Sequence, residues 1–311
     1  MATLYQPNAG IIDNKAYSSL YSKLFDKITK RTDSVPREGR QFFSERSTNL
    51  DTYREGEVSS VLDLPQKNED TDKIPMLNPV EGYYKSFTNV QYRSGIMVTD
   101  RAILAQKTRM ISQMITGLPN SALRKEEYAY ASLFNGGFAT ATTGDEQYVF
   151  YDAHTHEDAE AGTYDNLMTA SGITTDSLAA ARLHFSSWVN EKGFVDPQPM
   201  TKIVFPPDLW EDVKKVLGSD KYPQNSLNAT NPFQKIVDPI EYHWLTSTTA
   251  WFVQGKNSDM DNGFVVVWQT RPNYKPISDS MNPELILGRR LLMRFSVGAM
   301  HARNLLGNAG A

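Results

Sequence analysis

Two β-prone apolar segments set around a charged tip constrain this chain more than any other feature. Val58, Val61 and Leu62 precede a polar run, Gln66 to Lys73, that carries Glu69, Asp70 and Asp72. Tyr83, Tyr84, Phe87, Val90, Tyr92, Ile96 and Val98 follow it. Extended segments on either side of such a tip predict a long hairpin. Pro65, Pro75 and Pro79 confine parts of it to edges or loops. A hairpin with little core of its own is marginal alone, so this one has to pack on something else. The residues before it do not supply that core. Asn14 to Ile28 shows helical spacing of Tyr17, Leu20, Tyr21, Leu24, Phe25 and Ile28 behind an Asp13 or Asn14 cap. Beyond Lys30 come Pro36, Gly39 and Gly56 among mixed charges. That stretch reads either as a disordered arm or as an extended arm ordered by a neighbour.

The strongest helix is expected from a Thr99–Asp100 cap to a stop at Gly136–Gly137. Its stripe is Ile103, Leu104, Met110, Ile111, Met114 and Ile115, continued by Leu123, Tyr128, Ala131 and Phe134, with a break or kink at Pro119. From Glu126 to Ala181 there are ten acidic residues and no Lys or Arg, which suits a solvated face or loop. Thr175 or Asp176 caps a second helix that presents Leu178, Ala181, Phe185, Trp188 and Val189 and ends by Gly193. Ile203 to Phe205 reads as a buried strand stopped by Pro206–Pro207, and Asp208 to Leu217 as a helix closed by Gly218. Ile240 to Leu245, Ala250 to Val253, Gly263 to Trp268 and Arg289 to Val297 read as strands. Helices and strands come in mixed runs, not in βαβ alternation, so the fold class is α+β.

The chemistry is mostly absent. None of the 311 residues is cysteine, which excludes disulfide scaffolds, zinc-thiolate sites and cysteine nucleophiles. No dinucleotide fingerprint, P-loop, H-E-x-x-H or G-x-S-x-G motif occurs. Gly136–Gly137 follows a helix, so it reads as a helix end and not as a phosphate loop. The weak metal candidates are His154 and His156, two apart in Asp152-Ala-His-Thr-His-Glu-Asp158. A solvated loop is the preferred reading of that segment. His184 reads as a helix-surface histidine, and His243 and His301 as lacking carboxylates nearby in sequence. No cofactor is expected. Lys and Arg number 32 against 36 Asp and Glu, a net charge of −4 that argues against a general nucleic-acid binder. After Glu284 there are four arginines, Arg289, Arg290, Arg294 and Arg303, and no acid. Partnership with the acidic block, within or between chains, is preferred for them over contact with phosphates. No stretch approaches the roughly 18 apolar residues of a membrane helix, and Met1 to Gly10 has no leader pattern. An arm and an exposed hairpin without a catalytic constellation fit an assembly subunit.

Several segments, in order, resemble the major capsid proteins of tailed bacteriophages, which share the Hong Kong 97-type capsid fold. They are Tyr92-Arg-Ser-Gly-Ile-Met-Val-Thr-Asp100, Leu133-Phe-Asn-Gly-Gly-Phe138, Gly162-Thr-Tyr-Asp-Asn-Leu167 after the Tyr151–His154 loop, Ile203-Val-Phe-Pro-Pro-Asp-Leu209, Thr249-Ala-Trp-Phe-Val253 and Arg294-Phe-Ser-Val-Gly298. The resemblance covers roughly residues 80 to 311. It implies an α+β, Hong Kong 97-like plan: 1–56 as N-terminal arm, 57–98 as an extended β-hairpin loop over a neighbour, 99–150 as long spine helix and peripheral domain, 151–285 as axial domain, and 286–311 as return strands. It turns the His154–His156 segment into a surface loop of a shell protein.

The resemblance further implies a non-enzymatic, structural function. The chain is expected to self-assemble into hexamers and pentamers of an icosahedral head around double-stranded DNA. Scaffolding, portal and decoration proteins are its expected partners, with packaged DNA contacted non-specifically, and the Arg-rich end is placed at an interface or facing that DNA. Its place is the virion, after synthesis in the host cytoplasm, and no membrane is involved. The alternatives are a non-viral compartment shell of the same fold and a metal-dependent hydrolase using His154 and His156.

Overall fold

The computed structural model describes residues 23, 35–58, 81–99, 108–156, 162–189, 195–221, 230–256, 263–277 and 285–311. The expected helix over Asn14–Ile28, the charged tip with its prolines and the Thr99–Asp100 helix cap lie essentially outside them. The chain forms two units. The larger takes Glu38–Asn89, Glu127–Trp268 and Ser296–Ala311; the smaller takes Val90–Glu126 and Gln269–Phe295 with the chain up to Arg37.

The larger unit is built on a mixed five-stranded sheet of order β7-β13-β10-β8-β9. Its strands are β7 (Leu167–Met168), β8 (Met200–Phe205), β9 (Asp238–Glu241), β10 (Trp251–Gly255) and β13 (Leu305–Asn308). Every residue of central β10 is buried. A continuous apolar run is what a strand covered on both faces requires. Trp251 is fully buried, and its indole N–H donates to the Ser171 carbonyl at 2.9 Å. Strand β9 begins at Asp238 and stops at Glu241, earlier than its apolar residues indicate. It lies at the sheet edge, where Pro239 costs no ladder bond.

Helix α2 (Thr175–Ser187) is capped by Thr174, one residue before the expected position. Thr174 Oγ1 accepts from the Ser177 N–H at 3.1 Å, and Ser177 Oγ accepts from the Thr174 N–H at 2.9 Å. It ends six residues before Gly193 because Trp188 turns extended and packs edge-on against Phe185, with ring centroids 4.4 Å apart. Helix α3 (Trp210–Gly218) follows a 3₁₀ turn over Pro207–Leu209, as the Pro-Pro-Asp signature predicts. Leu178 and Phe185 of α2 join Val213 and Leu217 of α3, Ile203, Trp251 and Leu306 in one core.

The polar reading of the N-terminal stretch fails at Gly39–Ser47. A 3₁₀ turn (Gly39–Phe42) and strand β1 (Phe43–Ser47) dock on the same chain. Strand β1 runs parallel to the first half of β11 (Phe264–Pro276), Phe43 opposite Phe264 and Ser47 opposite Trp268. Phe42 is completely buried. Its ring meets Phe134 at 5.5 Å and Tyr242 at 5.9 Å, while Phe43 meets Tyr130 at 4.5 Å. Two adjacent aromatics carry no periodicity, so their burial does not register in a stripe count.

The apolar segment Tyr83–Val98 is two strands. Strand β3 (Glu81–Thr88) pairs antiparallel with β2 (Thr52–Val58), and β4 (Val90–Thr99) pairs instead with β12 (Leu285–Ala299). Phe87 of β3 is buried with Val265 and Val267. In the smaller unit Leu291, Met293 and Phe295 of β12 are buried on one face, and Phe295 packs on Tyr92 at 5.2 Å.

Helix α1 (Thr108–Asn135) is continuous through Pro119 and ends before Gly136 as expected. Its buried face differs from the expected stripe. Met110, Met114 and Tyr128 are exposed, whereas Leu123, Glu127, Tyr130, Ala131 and Phe134 are buried. Glu127 occupies the position on that face where an apolar side chain would be looked for, and Tyr128 lies about 100° away around the helix.

Candidate functional site

The His154–His156 segment is neither solvated nor a surface loop at its histidines: both rings are buried. A short ladder positions them. Strand β5 (His154–Thr155) pairs with β6 (Thr163–Tyr164), His154 opposite Tyr164. The His154 ring stacks on Tyr164 at 5.0 Å, and His156 contacts the same ring at 4.9 Å. His154 Nδ1 lies 2.7 Å from Asp145 Oδ2. Asp145 sits in a tight turn whose next residue, Glu146, has a positive φ of 65°. The carboxylate also accepts from Thr143 Oγ1 and, at 3.2 Å, from the Gln147 N–H.

Burial alone would push the Asp145 carboxyl up. The hydrogen bonds from His154 and Thr143, the charge of His154 and the Gln147 N–H outweigh it and hold the carboxyl below its ordinary range. His154 Nε2 has no hydrogen-bond partner among the described residues. Among the described residues no three His, Asp or Glu side chains are placed to hold a metal. The arrangement joins segments instead. Lys85 of β3 donates from Nζ to Thr142 O at 2.9 Å, Thr142 Oγ1 at 3.1 Å and Thr143 O at 2.9 Å. Tyr83 Oη lies 3.0 Å from Thr155 Oγ1. Burial lowers the Lys85 pKa, against the pull of Asp145 and Glu146. The β2–β3 hairpin is thereby tied to the Asp145–His154 turn.

A second set was not found in sequence. His243 Nδ1 lies 2.9 Å from Glu38 Oε1, and its backbone N–H donates to Glu38 Oε2 at 3.0 Å. Its Nε2 lies 3.4 Å from Glu241, only two residues upstream, so a carboxylate was near in sequence after all. Buried Glu127 accepts from the Gly39 N–H at 2.9 Å and from the Tyr242 hydroxyl at 3.3 Å. Burial, then the Glu127 charge, push the Tyr242 hydroxyl far above its ordinary pKa. Glu127 and Asp145 belong to the block expected to be solvated; Glu127 is buried, the Asp145 side chain is buried too, and both are hydrogen-bonded. His184 is a half-exposed helix residue, 3.3 Å from Asp165.

The C-terminal arginines diverge. Arg303 is buried. Arg294 donates to Gln91 Oε1 at 2.9 and 2.6 Å and to Gln269 Oε1 at 3.5 Å, so amides hold it where a carboxylate was expected. Arg290 lines a cleft of about 470 Å³ in the smaller unit, together with Gln91, Arg93, Asn273, Lys275 and Ile277. In the described residues no helix is long and apolar enough to cross a membrane.

A sequence model described as phage capsid protein matches residues 84–303. No curated protein matches the chain. Three solved structures share its fold. They are the procapsid of bacteriophage JBD30 (10% identical, 96% of this chain and 75% of that one, TM-score 0.52), the capsid of cyanophage P-SCSP1u (8%, 100% and 93%, 0.55) and the capsid of the native GTA particle (12%, 89% and 92%, 0.51). At these identities the likeness is one of fold.

Proposed function

The chain belongs to the phage capsid protein family, and we propose that it self-assembles into hexamers and pentamers of an icosahedral head that encloses double-stranded DNA. It is a major capsid subunit with a Hong Kong 97-like, α+β fold, and a virion component. The observation that carries the proposal is the family match over residues 84–303, which contain helix α1, strand β4 and every strand of the five-stranded sheet except β13. The geometry agrees with a structural role. The buried histidine and carboxylate side chains cross-brace segments of the chain. Such subunits associate through extensive interfaces, not through a small site. Synthesis in the host cytoplasm, scaffolding, portal and decoration partners, and the division into arm, extended loop, peripheral and axial domains are part of the same proposal. Electron microscopy of the purified chain, beside light scattering, tests it. Closed shells or capsomer rings are expected. A homogeneous small species that persists when scaffold candidates are added would overturn it.

A further inference from the structure

Charge is segregated along this chain, and three cations of the basic side meet no carboxylate among the described residues. The smaller unit's strand residues 90–99, 269–276 and 285–295 carry Arg93, Arg271, Lys275, Arg289, Arg290 and Arg294 and no acid. Strand register gathers several of them. Arg290 lies opposite Gly95, Leu292 opposite Arg93, and Arg294 opposite Gln91. Opposed residues of an antiparallel pair share a face. The other face holds buried Leu291, Met293 and Phe295, so this one is the polar face of the sheet.

Arg93, Lys275 and Arg290 converge on the 470 Å³ cleft. None of these three side chains has an ion-pair or hydrogen-bond partner among the described residues. Acids lie elsewhere in sequence, ten of them in Glu126–Ala181 with no base among them, and several, such as Glu127 and Asp145, are already engaged within the chain. Glu146 and Asp152 of that stretch are exposed and form no ion pair among the described residues.

We infer that this cationic cleft is a contact between copies, filled by the exposed acidic segment around Glu146 and Asp152 of a second copy. The inference rests on the shell reading above and names one contact within it. A surface that meets a different surface on the next copy is a heterologous contact, the kind that closes rings and shells. Nucleic acid fits less well. The chain as a whole is net −4, which opposes a duplex at range. These cations converge on one concavity, whereas a phosphate backbone asks for them along a path. The walls also include Ile277 and Leu292, contact area for a protein segment.

Assembly of the full-length chain, followed by light scattering and electron microscopy across a salt series, tests the contact. The neutralised variant R93Q/K275Q/R290Q is expected to need about tenfold more protein for half-assembly and to lose most of the salt dependence, with an unchanged unfolding midpoint. The reversed variant R93E/K275E/R290E is expected to assemble only when mixed with E146K/D152K. A neutralised variant that assembles at the wild-type concentration overturns the contact. One that assembles normally but no longer retains duplex DNA overturns it in favour of DNA. An impaired neutralised variant whose reversed form is not rescued by E146K/D152K overturns the acidic stretch as occupant. A wild-type chain that forms neither shells nor capsomers overturns the functional reading and this contact with it.

Discussion

Replacing Phe42 by alanine separates an arm ordered by neighbours from a segment held by its own chain. The ring is completely buried, edge-on to Phe134 at 5.5 Å and Tyr242 at 5.9 Å, with Lys202 Nζ 5.6 Å over its face. Truncating a buried phenylalanine costs about 3–5 kcal/mol in lost transfer energy and residual cavity. The aromatic contacts place this site in the upper half of that range, since each edge pair adds about 0.5–1.5 kcal/mol beyond area. The cavity cannot collapse easily: β1 is pinned to β11 on one side and Glu127 holds the Gly39 N–H on the other. At about 2–4 °C per kcal/mol, a loss near 4 kcal/mol lowers the melting temperature by about 8–16 °C. The measurement is urea and thermal unfolding of the unassembled chain, read by the fluorescence of buried Trp251 and Trp268, the latter opposite Ser47 of β1. Phe42→Ala is expected to shift both midpoints by those amounts before any shell forms. A shift below about 1 kcal/mol in the unassembled chain, with a defect only in assembly, would refute the intramolecular packing and restore the neighbour-ordered arm.

Asp145→Asn is expected to cost about 1–3 kcal/mol at pH 7, because His154 and Thr143 lose a charged acceptor. The carboxyl is held below its unfolded value, so its contribution is present above about pH 4 and lost as pH falls through the lower folded value. Urea midpoints of wild type and variant should therefore converge in acid; a constant gap down to the acid limit contradicts the linkage. Lys85→Met removes three hydrogen bonds from Nζ and should destabilise by about 1.5–3 kcal/mol, with faster amide exchange concentrated in β2 and β3. Exchange that rises evenly over the larger unit would show that the hairpin is not held by this tie.

Much of the larger unit was legible because its signals are local. The Pro206–Pro207 stop, the apolar β10 run and the Gly136 helix end each act within a few residues of themselves. The ordered series of short motifs pointed to the family for the same reason. What stayed hidden depends on partners distant in sequence. Whether Tyr83–Val98 is one strand or two is decided by β2 and β12 competing for it, and β12 lies about two hundred residues on. His154 and His156 look like a polar loop until Tyr164 and Asp145 close over them. Glu127 looks solvated until the Gly39 amide and the Tyr242 hydroxyl meet it.

Residue order by itself determined the α+β class, the position of the long helix's end, the lack of any cysteine chemistry and the segregation of acids from bases. These follow from composition, period and turn chemistry, which act between near neighbours. Only the tertiary structure decided which polar groups are buried, which face of α1 is apolar and which cations lack side-chain partners among the described residues. Burial is a property of surfaces brought together across the chain, and a buried charge is tolerated only where distant groups supply its hydrogen bonds. No pattern along the sequence records that supply.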